Sequence, residues 1–185
     1  MGTGGQFPQR IALTGFMGAG KTTVGHLLAR RLSWRFIDVD AEIEAATGAT
    51  IAQLFQEHGE PWFRQLEHEN IRRLLDSDSV VLALGGGAIE DDRTRDLLLT
   101  SDGTRLVHLE ASLETVLKRC QGTESQRPIF RDRRNLEDRY RRRLPLYRQS
   151  HWSIEVDSLH PAAIAESILS RFGVPAARHP GYAEV

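Results

Sequence analysis

Gly15–Phe16–Met17–Gly18–Ala19–Gly20–Lys21–Thr22–Thr23 fits the spacing G-x-x-x-x-G-K-[ST] through Gly15, Gly20, Lys21 and Thr22. Its flanks supply the context that spacing needs. Upstream, Arg10–Ile11–Ala12–Leu13–Thr14 is a short apolar run of buried-strand length. Downstream, Val24, Leu27, Leu28 and Leu32 recur at helical spacing, so a helix is expected from Lys21. A glycine-rich turn between strand and helix turns the backbone N–H groups of Gly18, Ala19, Gly20 and the residues through Thr23 toward phosphate oxygens. The helix N-terminus adds positive partial charge there. Lys21 would reach the outer phosphates and the Thr22 hydroxyl would ligate Mg²⁺. Nucleotide binding follows.

Working outward, Trp34–Arg35–Phe36–Ile37–Asp38 reads as a second strand ending in acid, and 40–76 as three short helices. Breaks are expected at Gly48 and at Gly59–Glu60–Pro61, where proline opens the next helix. Val80–Val81–Leu82–Ala83–Leu84 is continuously apolar, as a central parallel strand is, and runs into Gly85–Gly86–Gly87. A helix over 91–100, a strand at 105–109 and a helix over 112–120 follow. Residues 122–134 lack periodicity and read as a mobile loop. A helix over 136–150 interrupted by Pro145, a strand at 153–156 and an amphipathic helix over 161–172 complete the pattern. Residues 1–9 read as a flexible leader and 173–185 as a flexible tail, leaving a single domain over 10–172. Alternating strands and helices predict a three-layer α/β domain with a five-stranded parallel sheet. Ligands of such sheets gather at the carboxyl ends of the strands, which places 15–22, Asp38/Asp40 and Gly85–Gly87 on one rim.

The 185 residues suit one domain, and a net charge of −1 gives no electrostatic case for bulk nucleic-acid or membrane binding. A single cysteine, Cys120, excludes an internal disulfide framework and fits a reducing compartment. No run of 18 apolar residues and no secretory signal is present, so a cytoplasmic protein is expected.

Asp38–Val39–Asp40 is the second chemical signal. Alternation at a strand end would point both carboxylates to one side. The strand over 80–84 ends in Leu–Gly, so the acid that positions Mg²⁺ must come from elsewhere, and Asp38 is the nearest suitable group. Asp40 could then orient the attacking hydroxyl as base, or cap the helix that follows; the two roles are compatible. Gly85–Gly87 lets backbone come close to a ligand. Arg64, Arg127 and Arg143 stand out among many arginines, and those around 131–143 are only partly balanced by acids, which a phosphate-rich ligand would relieve. The seven histidines show no metal spacing and read as structural or exposed. Of the tryptophans, Trp62 is the best candidate for lining a site.

Together these motifs resemble the shikimate kinase family over residues 10–172. Gly15–Thr22 is similar to its Walker A segment, Asp38–Val39–Asp40 to its D-x-D and Phe63–Arg64–x-x-Glu67 to its F-R-x-x-E. Leu84–Gly87 is similar to its L-G-G-G, Arg127–Pro128 to its lid R-P, and Arg143–Leu144–Pro145–Leu146–Tyr147 to its R-x-P-L-Y. The resemblance implies ATP-dependent phosphorylation of the 3-hydroxyl of shikimate in aromatic amino-acid biosynthesis, by a P-loop kinase fold with a lid and a substrate-binding helical segment. Carried over by position, Asp40 contacts substrate hydroxyls as base, Arg64 and Arg143 grip the shikimate carboxylate, and Gly85, Gly86 and Gly87 offer backbone contacts. Lys21 and Arg127 stabilise charge on the transferring phosphoryl group. Thr22 and Asp38 hold Mg²⁺, Arg119 and Pro161 lie near adenine, and 122–134 is the lid. A monomer is implied.

The runner-up is another small-molecule kinase of the same fold, such as a gluconate kinase. A GTPase switch would need N-K-x-D, which this sequence lacks. A nucleic-acid-directed protein is disfavoured by charge. A non-catalytic nucleotide sensor would show damage at Lys21, Asp40 or Arg127, and all three are present.

Overall fold

The computed structural model describes residues 8–120 and 133–173. Five parallel strands run β1 Arg10–Thr14, β2 Arg35–Asp38, β3 Val80–Ala83, β4 Thr104–Glu110 and β5 Trp152–Glu155, in the spatial order β2-β3-β1-β4-β5. Position follows sequence. β1 and β3 are buried along their whole length because both faces are covered, and they read as unbroken apolar runs. The edge strands β2 and β5 bury only one residue each. Register is set by Ile11 beside Val81 on one side and Arg105 on the other.

The helices are α1 Lys21–Leu32, α2 Val39–Thr47, α3 Ile51–His58, α4 Glu60–Leu74, α5 Asp92–Thr100, α6 Leu113–Cys120, α7 Arg133–Tyr147 and α8 Pro161–Arg171. α1 packs on β1, β2 and β3 and against α8; α5 packs on β4 and joins through α4 to α2 and α3. The expected three helices after β2 are present. Gly48 ends α2 with φ 71°, and Gly59 lies between α3 and α4, with Pro61 in the first turn of α4. A short 3₁₀ turn at Ala88–Glu90, which the sequence reading did not anticipate, follows the glycine triplet.

Three expectations need correction. The leader does not extend to residue 9: Gln9 N–H donates to Gly103 O at 2.8 Å and its carbonyl accepts from Ser79 N at 2.8 Å, extending the strand hydrogen bonding backwards. Residues 133 and 134 belong to α7 rather than to a loop. Pro145 does not interrupt α7, which runs through it to Tyr147. The missing N–H of Pro145 forfeits one helical bond, and the helix hydrogen bonding resumes after it, with Arg148 N–H to Leu144 O at 3.1 Å closing the last turn. The rest of the expected lid, 122–132, and of the expected tail, beyond 173, lies outside the described residues.

Candidate active site

The phosphate loop joins β1 to α1 at the carboxyl edge of the sheet. Gly20 is the α1 N-cap at φ 99°, a left-handed conformation that a side chain would strain, and Val24 N–H bonds back to its carbonyl at 2.9 Å. Lys21 Nζ donates to Gly15 O at 2.8 Å and Phe16 O at 3.1 Å, so the ammonium arcs over the loop. Arg119, from α6, ties the loop to β5: it donates to Gly18 O at 3.3 Å, Ala19 O at 3.4 Å and Val156 O at 3.0 Å.

These residues wall a cleft of about 730 Å³. Its lining takes in Gly18 through Thr23, then Asp38, Asp40, Gly86 and Arg143, and also Arg119, Leu159 and Pro161. Leu159 is an exposed apolar residue that the sequence reading did not assign to the site.

The two aspartates meet as expected, by a different geometry. Asp38 closes β2 and is itself the α2 N-cap, accepting from Ala41 N–H at 3.4 Å; Asp40 already lies in the first helical turn and is not the cap. The chain therefore turns into helix at Val39, and both carboxylates face the cleft because the helix starts there, not because a strand alternates. Thr22 Oγ1 donates to Asp38 Oδ2 at 3.1 Å. A hydroxyl and a carboxylate in contact are hard oxygen donors that suit Mg²⁺, an ion commonly held by one or two protein oxygens with the rest from phosphate and water. Among the described residues, no group of three His, Cys, Asp or Glu side chains is placed to hold a metal alone.

Arg64 and Arg143 arrive from α4 and α7 and converge on Gly87. A Cβ built there would collide with Arg64 Nη2 and stand 2.9 Å from Arg143 Nη2. Arg64 donates to Glu67 at 2.6 Å and Glu60 at 3.0 Å, and its guanidinium lies 5.7 and 5.4 Å from the ring centres of Phe55 and Phe63. Arg143 is held by Glu90, whose Oε2 accepts from Nε at 2.8 Å and from Nη2 at 2.6 Å. Tyr147 fixes the glycine turn by donating to Gly86 O at 2.5 Å, and His108 stacks on its ring.

Glu67, Glu90 and Tyr147 received no site role from the sequence. Glu67 left a signal: it falls on the buried stripe Phe63, Glu67, Asn70, Ile71 and Leu74 of α4, where an unpaired acid would be costly. Glu90 left none. Trp62, expected to line a site, packs against the His58 ring at 4.1 Å and is 41% exposed. Arg127 lies outside the described residues.

Electrostatics distinguish the carboxyls. Burial raises the Asp40 pKa, the charge of Asp38 adds to this, and Lys21 and Arg64 oppose it. Burial pushes Glu67 up to about 7 against the pull of Arg64, with Asp40 adding to the rise. Among the described residues its Oε1 has no hydrogen-bond partner. Arg64 stays firmly charged: burial disfavours its cation, but Glu67 and Glu60 more than offset that. Because the folded pKa of Glu67 lies above its ordinary 4.5, this proton stabilises the fold fully below pH 4.5. That contribution is lost as pH rises through about 7. Replacing Glu67 by Gln is therefore expected to flatten the loss of stability between pH 5 and 8 by on the order of 3 kcal/mol. Denaturant unfolding at several pH values checks this; parallel pH profiles for the two proteins would place the titration elsewhere.

A sequence model of the shikimate kinase family matches residues 17–172. The chain belongs to the shikimate kinase family. A family member from Persephonella marina is 36% identical over 163 residues, covering 88% of this chain and 98% of the relative. One from Rhodococcus erythropolis is 39% identical over 166 residues, covering 88% and 96%. The solved structure of shikimate kinase from Acinetobacter baumannii in complex with shikimate superposes with a TM-score of 0.81 at 37% identity, covering 90% of this chain and 93% of that one. The family match over residues 17–172 takes in most of the stretch on which the resemblance rested. Among the described residues, no helix is long and apolar enough to cross a membrane.

Proposed function

We propose that this chain transfers the γ-phosphoryl group of ATP to the 3-hydroxyl of shikimate, giving shikimate 3-phosphate and ADP. Membership of the family supports the activity. The observation that carries the assignment of roles is the convergence of Asp40, Arg64 and Arg143 around Gly85–Gly87 beside the phosphate loop.

The shikimate carboxylate is read by Arg64 and Arg143, whose planar forks match a carboxylate as a lysine would not. That contact orients the ring so that its 3-hydroxyl points at Asp40. Asp40 accepts the hydroxyl proton as the new oxygen–phosphorus bond forms and the bond to the ADP oxygen breaks, with ADP leaving on the bonding pair. A raised pKa suits this task, since a base works best when its pKa approaches the working pH. Lys21 moves little to meet a phosphate from its position over the loop, and it neutralises charge on the transferring group together with Arg127. Thr22 and Asp38 would hold Mg²⁺, which would supply positive charge to offset that of the phosphates. Arg119 and Pro161 border the space for adenine. We place the protein in the cytoplasm as a monomer.

The test is a coupled ADP-release assay with MgATP, comparing shikimate, gluconate and no acceptor. Turnover with shikimate alone is expected. Turnover with gluconate in its place would move the chain to another acceptor, and nucleotide binding without acceptor-dependent turnover would make it a sensor.

A further inference from the structure

Arg143 is 4% exposed, and a buried guanidinium needs a fixed counter-charge to keep one orientation. That charge is Glu90. Its two carboxylate oxygens divide the work: Oε2 takes Nε and Nη2 of Arg143, while Oε1 takes Nε of Arg142 at 3.0 Å and its Nη2 at 2.9 Å. Glu90 is itself held in place. It sits three residues beyond Gly87 on the 3₁₀ turn, with its N–H bonded to Gly87 O at 3.0 Å, and Arg95 donates to the neighbouring Ile89 O at 3.0 Å. The carboxylate is therefore indexed to the same glycine turn that Arg64 and Arg143 face. Its grip occupies the Nε edge of Arg143 and leaves Nη1 turned toward Gly86, 3.5 Å from where a Cβ would stand.

The need for such a clamp comes from crowding. Arg139 and Arg142 lie on α7 within about one turn of Arg143; burial is the leading cause that lowers the Arg139 pKa, and the charges of Arg143 and Arg142 lower it further. Without Glu90 the like charges on α7 would push the Arg143 fork out of register. The carboxyl of Glu90 is correspondingly held below its usual range: burial opposes this, and the hydrogen bonds from Arg143 and Arg142 prevail.

We infer that Glu90 is a positioning residue for acceptor recognition: it fixes the Arg143 guanidinium so that its Nη1 side meets the acceptor carboxylate, and it shields that site from the surplus arginines of α7. This rests on the reading of Arg143 as a carboxylate ligand given above.

The test is steady-state kinetics of Glu90→Gln, alone and combined with Arg143→Lys. Glutamine keeps the shape, but its amide nitrogen presents donors to one of the two arginines. E90Q is expected to raise the shikimate KM roughly tenfold while kcat and the ATP KM stay within about twofold. If Glu90 acts through Arg143, adding E90Q to the Arg143→Lys protein changes the shikimate KM by less than about twofold. An unmoved or lowered KM in E90Q would overturn the inference, as would parallel losses in kcat and nucleotide affinity, or full additivity in the double variant. Should E90Q fail to fold, Glu90→Asp serves: its shorter carboxylate reaches one arginine, and an unchanged shikimate KM there would overturn the inference too. If the unaltered protein shows no shikimate-dependent turnover, the functional reading itself falls and takes this one with it. Turnover by the unaltered protein with no effect of E90Q sinks only the role of Glu90.

Discussion

Asp40→Asn is expected to bind MgADP as the unaltered protein does and to turn shikimate over about 10²–10⁴ times more slowly. The substitution preserves shape and removes the negative charge, and with it the ability to take a proton. Asp40 does not cap α2, a job that belongs to Asp38, so the helix start is not at risk. The carboxylate that meets Thr22 also belongs to Asp38, so the Mg²⁺ side is untouched. The loss should therefore appear in kcat with nucleotide affinity intact, as measured by single-turnover kinetics beside nucleotide titration. The pH profile supplies a further sign. Asp40 must be ionised to act, and burial with the charge of Asp38 raises its pKa. The acid limb of kcat should accordingly lie above the ordinary carboxyl range, with activity gained as pH rises through it, and D40N should lack that limb. Undiminished turnover in D40N would remove the base assignment.

Gly87→Ala is expected to raise the shikimate KM roughly 10- to 100-fold and to leave the ATP KM unchanged. Its backbone, at φ −103° and ψ −5°, is open to any residue, so the methyl adds no strain of its own. What it meets are the tips of Arg64 and Arg143. Arg64 cannot easily step aside, since Glu60 and Glu67 hold both terminal nitrogens and two phenyl rings cover its plane. The fold survives because the far end of a side chain can move; the paired forks do not survive in register. Thermal melting beside steady-state kinetics checks this. An unchanged shikimate KM would mean that the two guanidiniums do not act together on the acceptor.

Much of this was legible in the sequence because the signals were local. The strand–loop–helix around Gly15–Thr22 carries its own periodicities. Gly48 and Gly59–Pro61 punctuate α2, α3 and α4 as their backbone preferences dictate, and the fully buried strands could be read as unbroken apolar runs. Both aspartates line the cleft, but by another geometry than expected, because strand alternation was assumed where the chain had already turned into helix. Pro145 misled in the opposite direction, since the one bond a proline forfeits did not end α7, which runs on to Tyr147. The hidden part of the site is the part made by long-range pairing. Glu90 is an unremarked acid until α7, more than 50 residues later, lays two arginines on it.

The helix α7 bridges the sheet in a way that bears on the exchange of parts between relatives. Asp40, Arg64 and Gly85–Gly87 come from a continuous stretch linked to β2 and β3, while Arg119 and Pro161 come from segments linked to β4 and β5. Chain order alone would suggest that one contiguous block, residues 35–90, could be swapped to give a new acceptor. Yet Arg143 and Tyr147 reach Glu90 and Gly86 from the segment between β4 and β5. A graft of 35–90 alone would thus import a binding surface stripped of its buried counter-ion. The smallest transplantable unit of acceptor choice is discontinuous: that block together with residues 133–147.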